Sequence, residues 1–549
     1  MPYQKKTTDG YSWTRATGVR RGGLHCRGVV EPREKNTVPA GHIYDAIVIG
    51  AGYAGLMAAR EMTDRGLTVL LLEARDRVGG RTYTTEEDGI LYEMGGTWVT
   101  HHMAFLFKEM TRYGMDRDLT LTHHRGYEND YYTIDVPGAT PRKLAHEEAG
   151  KIAARGWDIF INVDGENCRR ICPLPHSQLD NILTDRKEVE QYDRISCRER
   201  YDAIKHLLTP EEAGVLMALL LHISGGTMEN SSVWDMVRSH ALMSYSSDNF
   251  GTIWTTFKLR EGQSELAHRI FQDSVEHGLQ YAFETPICEI IQRSNRQTQL
   301  LEVVTASGAI YKARQAVSTI PLNVLRTIKF DPPLSNKRQE ALEIGHVNFM
   351  TKIHAEVEGP GLASWNGMKF PNLLMFGYGD GVTENGNAHI VGFGKDERST
   401  YVPERHPEKT ISAFQKMHPM TVKKMVFHNW VTDPWSRGGP AWWTPEYMSK
   451  YQDELQSRHG NVHFASADWA NGWRAAIDGA LEQGFLAAQG IIAEARQMAQ
   501  SPFNPPNLDI RHHRHPLNLL SHCPFSDVRR RLLSELLWDD SALANIPKK

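Results

Sequence analysis

Apolar and polar positions change their spacing several times along the chain, and each change marks a different kind of element. Residues 46–49 form a short unbroken apolar run, the pattern of a strand buried on both faces, and small and apolar residues at helical spacing follow to about residue 65. A second apolar run covers 68–72, so the order is strand, helix, strand. From 121 to 260 helical spacing dominates, most plainly at 211–221. No nucleotide motif falls among these helices, which predicts a substrate-binding region inserted into the chain. Short strands take over after Tyr281, at 287–291, 300–305 and 316–320, and alternating strands follow at 352–357 and 389–393. The pattern then returns to a strand at 462–465 and a long helix from about residue 476. On alternation alone Lys352, His354, Glu356 and Glu358 occupy an exposed strand face, opposite Thr351, Ile353, Ala355 and Val357.

The turn between the first strand and its helix carries Gly50, Gly52 and Gly55 in G-x-G-x-x-G spacing. Gly50 permits the tight turn, Gly52 lets the backbone approach a pyrophosphate, and Gly55 lets the helix pack on the strand, while the helix N-terminus offers N–H groups and positive dipole. Glu73 ends the second strand, 18 residues past Gly55, where a carboxylate reaches ribose hydroxyls. This is a dinucleotide cradle. A lone glycine motif is weak evidence, but strand, glycines, helix, strand and acid in that order are specific. Two further tight turns, Gly79-Gly80-Arg81 and Gly95-Gly96-Thr97-Trp98, add backbone and a fixed cation that a simple NAD site does not need.

With 549 residues the chain can hold two or more domains around sizeable cores, and its 40% hydrophobic and 23% charged residues are those of an ordinary globular protein. Lys+Arg number 62 against Asp+Glu 66, a net charge of −4, which gives no general attraction to nucleic acid or anionic membrane. Cys26, Cys168, Cys172, Cys197, Cys288 and Cys523 lack C-x-x-C spacing, so neither zinc nor a disulfide framework is expected, and no other metal is called for. The polar N-terminus has no apolar signal core and no run of 18 apolar residues occurs, so a soluble cytoplasmic protein without membrane attachment is expected; the C-terminus, ending Pro547-Lys548-Lys549, is no Ser-Lys-Leu type peroxisomal address. The basic His cluster at 511–515 reads as solvated surface rather than a metal or acid site, and 528–538 as an amphipathic helix.

The stretches from Glu73, Ala74 and Arg75 to Gly80-Arg81, and from Glu93 to Trp98, resemble the FAD-binding signature of the flavin-containing monoamine oxidase family. That resemblance implies a discontinuous Rossmann-like FAD-binding domain with an inserted mixed sheet and helical substrate domain, an α/β plus α+β fold. The implied division is an arm at 1–40, FAD-binding parts at 41–120, 261–330 and 456–500, a helical substrate part at 121–260, a substrate sheet at 331–455 and a tail at 501–549. Ile287 and the segment Val317-Ser318-Thr319-Ile320-Pro321 would lie in the returning cofactor strands. Phe464-Ala465-Ser466-Ala467-Asp468, Trp473 and Ile477-Asp478-Gly479-Ala480 resemble the family's C-terminal flavin motif. This places Asp468, where the family has Glu, on the ribityl-phosphate chain and the Ile477 N–H on the flavin O2. Asn348 to Glu356 resembles the segment whose lysine, here Lys352, holds a water at flavin N5.

Three departures follow from the same resemblance. Asn429-Trp430 leads to Gly438-Gly439-Pro440, where animal relatives have a flavin-tethering cysteine, so FAD is expected to be non-covalent, with Trp430 beside it and the substrate. Of the two rings that flank the amine in the family, one position counts to Ala476 and the other to Ala441, with Pro440 or Trp442 as alternatives. A ring lost at Ala476 opens space for a bulky or branched amine. Residues 9–14, 224–232 and 427–431 resemble the soluble fungal monoamine oxidases. The implied reaction is FAD-dependent oxidative deamination of a bulky or long-chain primary amine, such as a fumonisin-like toxin, by O2 to a carbonyl, ammonia and H2O2. The partners are then a small amine and O2, with a homodimer as the assembly. A polyamine or L-amino-acid oxidase is the rival enzyme, and a flavin-binding scaffold without turnover the rival outside enzymes.

Overall fold

The structure is a computed structural model that describes residues 5–31, 41–122, 130–177, 183–294, 299–395 and 400–500. The basic His cluster at 511–515 and the stretch 528–538 lie outside the described residues. Two large sheets organise what is described.

The first, eight-stranded, has a parallel centre in which Val69–Leu72, Ile43–Ile49, Ile310–Ser318 and Val462–Phe464 come from four distant parts of the sequence. The run 46–49 and the strand Val69–Leu72 at its centre are wholly apolar because both faces are covered. Ile47, Ile49, Leu70 and Leu72 enter a core shared with the helices of the middle region, while Ala46, Val48, Val69 and Leu71 face the helices Tyr53–Thr63 and Ile477–Gln500. All eleven residues of Tyr53–Thr63 are buried. Two glycines set these approaches: a Cβ on Gly55 would lie 1.8 Å from the Gly50 carbonyl oxygen, and one on Gly484 would lie 2.1 Å from that of Ala54. Both contacts require hydrogen.

The second sheet has nine strands, and its order brings Arg142–Ala145, Tyr131–Asp135, Trp365–Lys369, Phe376–Val382, Ala388–Gly394, Thr351–Glu358, Thr421–Phe427, Tyr11–Thr14 and Gly18–Arg21 side by side. The helices His146–Ile161 and Pro210–Ser224 cover one of its ends. Three expectations change here. Residues 6–25 are strands rather than a simple arm, and the hairpin Tyr11–Thr14/Gly18–Arg21 is the sheet's edge. The region from 121 onward opens with strands that belong to this sheet, and becomes helical only at His146. Thr351–Glu358 is buried at every residue but the last, so Lys352, His354 and Glu356 are interior. Alternation marks a face as polar; it does not say that the polar face meets water, and here a second layer covers it. Among the described residues no helix is long and apolar enough to cross a membrane.

Candidate active site

One cavity of about 1060 Å³ runs from the glycine turn of the first sheet to the second sheet and its covering helices. At its first end lie Gly50, Gly52, Glu73, Ala74, Arg75 and Gly80. Gly52 caps Tyr53–Thr63 without any side-chain hydrogen bond, and no acid stands in the first turn, so the helix N-terminus presents its N–H groups and dipole to the cavity. Gly80, at φ +60°, packs on Gly52, where a Cβ would come within 3.1 Å of the Gly52 Cα. Gly55 lies inside the helix and acts through packing alone. The Glu73 carboxylate accepts from the Ala51 N–H at 2.5 Å and the Arg75 N–H at 2.8 Å. Burial raises its pKa against those two donors and the nearby Arg75 and Arg77.

The side chains of Arg75 and Asp468, both expected at the cofactor, are held by other residues, although Arg75 still lines the cavity. The Arg75 guanidinium reaches both Asp9 oxygens at 3.0 and 2.9 Å and Asp433 at 2.8 Å, pinning the N-terminal strands to the glycine turn. Asp468 does not line the cavity; it is fully buried, and accepts from the Arg81 guanidinium at 2.5 Å and from the Leu322 N–H at 2.8 Å. Burial raises its pKa, yet Arg81, His346 and the Leu322 N–H outweigh that and lower it overall. Asp468 therefore aims Arg81, which also donates to the Gly439 carbonyl at 2.9 Å and lines the cavity.

The middle of the cavity is made by Gly95, Gly96, Thr97, Trp98, Lys352 and Trp430, with Ile287 further along. Trp430 donates to the Met94 carbonyl at 2.8 Å, and Trp98 to the Thr122 hydroxyl at 3.0 Å, so both rings are fixed. Lys352 donates to the Glu93 carbonyl at 2.6 Å, the Thr97 hydroxyl at 2.6 Å and, more loosely, the Gly95 carbonyl at 3.3 Å. Three acceptors match the three protons of an ammonium. Burial pushes Lys352 down to about 8 against the attraction of Glu93 and Asp380, and pushes the Glu93 carboxyl up to about 7. Ala476 and Ile477 bring the start of Ile477–Gln500 to the same wall. Ala441 does not line the cavity: it is buried, and its neighbours Pro440 and Trp442 face in. In an extended segment alternate residues point opposite ways, and counting from one flanking motif fixes the residue only to within one. Thr319, Ile320 and Pro321 of the expected cofactor segment line the wall, whereas sequence reading missed His222, Phe376 and Tyr378 there; of these, Phe376 and Tyr378 carried a strand-alternation signal.

Residues 53–492 match the profile of the family described as flavin containing amine oxidoreductase. The chain belongs to that family. Pseudooxynicotine dehydrogenase of a Pseudomonas species is 27% identical over 80% of this chain and 84% of its own length. Nicotine dehydrogenase of Pseudomonas putida is 26% identical over 89% and 99%. A solved structure of putrescine oxidase bound to putrescine superimposes with a TM-score of 0.66 at 19% identity, covering 82% of this chain and 99% of that one. The cavity fits the FAD of this flavin amine oxidase family: uncapped helix N–H groups for the pyrophosphate, buried Glu73 for a ribose, and a glycine cradle that a Cβ on Gly80 would fill.

Proposed function

We propose that this amine oxidase oxidatively deaminates a bulky or long-chain aliphatic primary amine, of the kind a fumonisin-type toxin carries, to a carbonyl with release of ammonia and H2O2. A row of cross-strand neighbours carries this reading. Lys352 stands opposite Phe393, Phe393 opposite Phe376, Phe376 opposite Met368 and Met368 opposite Ile134, and all five side chains line the cavity. Five strands at about 4.8 Å make a floor about 19 Å long. An extended chain advances about 1.2 Å per atom, so about 15 chain atoms match it. Ala149, Ala153, Leu219 and Ile223 of the covering helices form an apolar roof.

FAD, when bound, supplies the two-electron acceptor for the amine's α-carbon and is restored by O2. The chain's own residues do the rest. Trp98, Phe393 and Phe376 exclude water from the reacting end, and a desolvated aromatic wall favours the uncharged amine, the form that can give up hydride. Lys352 holds its ammonium on Thr97 and the Glu93 carbonyl at the junction of the two cavity regions. Pro440, and the absence of any cysteine from the cavity wall among the described residues, support non-covalent FAD. The segments at 9–14, 224–232 and 427–431 support a place among the soluble fungal monoamine oxidases.

An L-amino-acid oxidase needs a cation for the substrate carboxylate, whereas on this wall Arg474 is ion-paired with Asp235 and Arg238 donates to the Asn471 and Gly472 carbonyls. The test is a panel of alkylamines, diamines, benzylamine and L-amino acids with H2O2 and ammonia measured together. Equal yields of both products from long alkylamines are expected; turnover confined to diamines or amino acids overturns the proposal.

A further inference from the structure

Behind Lys352 the same strand carries His354, buried and close to coplanar with buried His389 of Ala388–Gly394. Nε2 of His354 is 2.9 Å from the Glu93 carbonyl oxygen, Nδ1 of His354 is 2.9 Å from Nε2 of His389, and Nδ1 of His389 is 3.2 Å from the Asp380 carbonyl oxygen. Carbonyl oxygens only accept, so each end of this chain requires an N–H, and the middle contact requires one proton between two nitrogens. Three protons are needed on two rings. Two neutral imidazoles carry two.

The surrounding charges are of both signs. The titratable and charged groups facing the pair are Tyr92 and Glu93 of Ile90–Glu93, Lys352 and Glu356 of its own strand, Tyr378 and Asp380 of Phe376–Val382, Lys258 of Phe257–Leu259, and Lys424 of Thr421–Phe427. Lys258 donates to both Asp380 oxygens at 2.7 and 2.8 Å. Lys352 is balanced by Glu93, whose two carboxylate oxygens accept from the Gln263 N–H at 2.9 Å and the Thr84 hydroxyl at 3.0 Å. Glu356, opposite His389 in the register, accepts from Thr383, Asn385 and Asn387, while Lys424 on its other side is turned to Asp88 at 2.8 Å. With Lys424 set aside on Asp88, two ammonium groups face three carboxylates, and a buried imbalance is expensive.

We propose that His354 and His389 together hold one buried proton, shared across an N–H···N bond, and that this positive charge keeps the proton on Lys352 labile. His354 and Lys352 donate to the same Glu93 carbonyl oxygen, at 2.9 and 2.6 Å, so the imidazolium stands one oxygen away from the ammonium and disfavours it. Burial, with Lys352 and Lys258 adding to it, drives the rings the other way, His389 to about 4 even with Asp380 beside it and His354 further. What favours the charge is the demand of the two carbonyl oxygens and the N···N contact for three protons, and a charge spread over two rings costs less to bury than a charge on one. The pair acts through Lys352 and is a positioning element rather than a catalytic one.

Two readouts test this. Holoenzyme labelled with 15N-histidine is compared at pH 8 with the His389→Gln variant; a ring pair in the charged form, lost in the variant, is expected, and two neutral rings in the wild type overturn the proposal whatever Lys352 does. The second is the pH profile of amine-dependent flavin reduction, which rests on the role proposed for Lys352. Its Lys352-dependent limb, identified by its loss in Lys352→Met, should move up by roughly one pH unit in His389→Gln and in His354→Gln. An unmoved limb in a folded, flavin-loaded variant also overturns the proposal, while a limb absent from the wild type together with a charged pair in the spectrum removes the role of Lys352 and not the shared proton.

Discussion

Lys352 is the residue on which a surface reading and a catalytic reading differ most, and its surroundings decide what substitution should do. Its ammonium fills a buried site of two carbonyls and a hydroxyl at the junction of the cofactor end and the aromatic wall. Lys352→Met should therefore slow flavin reduction or reoxidation by tenfold or more, in stopped-flow measurements, while the bound-flavin spectrum keeps its form. Wild-type rates in both half-reactions would make Lys352 a structural strut. Glu73 makes the complementary case at the other end. Removing a buried charged acceptor should weaken FAD binding by about 1–3 kcal/mol in Glu73→Ala, giving partly apo protein at low FAD. Full occupancy there would leave Glu73 as a partner of the Ala51 and Arg75 N–H groups alone. The convergence of Gly50, Gly52, Glu73 and Arg81 on one cavity was legible because each sits at a turn or strand end set by its local sequence. What the Asp468 and Arg75 side chains reach, Arg81 in one case and Asp9 with Asp433 in the other, was not legible, since it depends on segments 66 to 387 residues away.

Among the elements, the helix Ile477–Gln500 links the cofactor sheet to the cavity wall, and its first turn carries a buried acid. Asp478 accepts from the Leu106 N–H at 2.8 Å, but burial pushes its carboxyl up to about 7. A carboxyl whose folded pKa lies above its unfolded value binds protons preferentially in the folded chain, so its contribution is full below pH 3.8 and is lost as pH rises toward 7. Asp478→Asn, which keeps the acceptor and removes the charge, should raise stability by about 1–3 kcal/mol at pH 8 and change little at pH 4. Thermal unfolding at the two pH values checks it, and equal effects at both would mean that the site is wetter than its burial indicates. The strand and helix positions were legible wherever an element was buried or exposed as a whole. The strand Thr351–Glu358 shows the limit: period two assigns two faces, and only the tertiary arrangement shows that both are covered.

For the whole molecule, the parallel centre of the first sheet assembles a flavin amine oxidase site from four sequence segments, and the second sheet adds an apolar floor about 19 Å long. The account places the amine beside Lys352 and the rest of the substrate across Phe393, Phe376, Met368 and Ile134. Ala476 lines the cavity beside Ile477, and on the proposed reading Ala476→Phe should penalise bulky amines by about 1–3 kcal/mol in kcat/KM while sparing small ones. A uniform loss across all amines would instead show that the helix start had been disturbed.

The most direct measurement is kcat/KM for unbranched primary alkylamines of increasing length with the wild-type enzyme. Burial of each methylene on an apolar floor contributes about 0.8 kcal/mol, up to about fourfold per carbon. The account predicts a rise that continues to a chain of about twelve carbons or more before it levels, with benzylamine well below the plateau. A maximum at four to six carbons, followed by a fall, would contradict it.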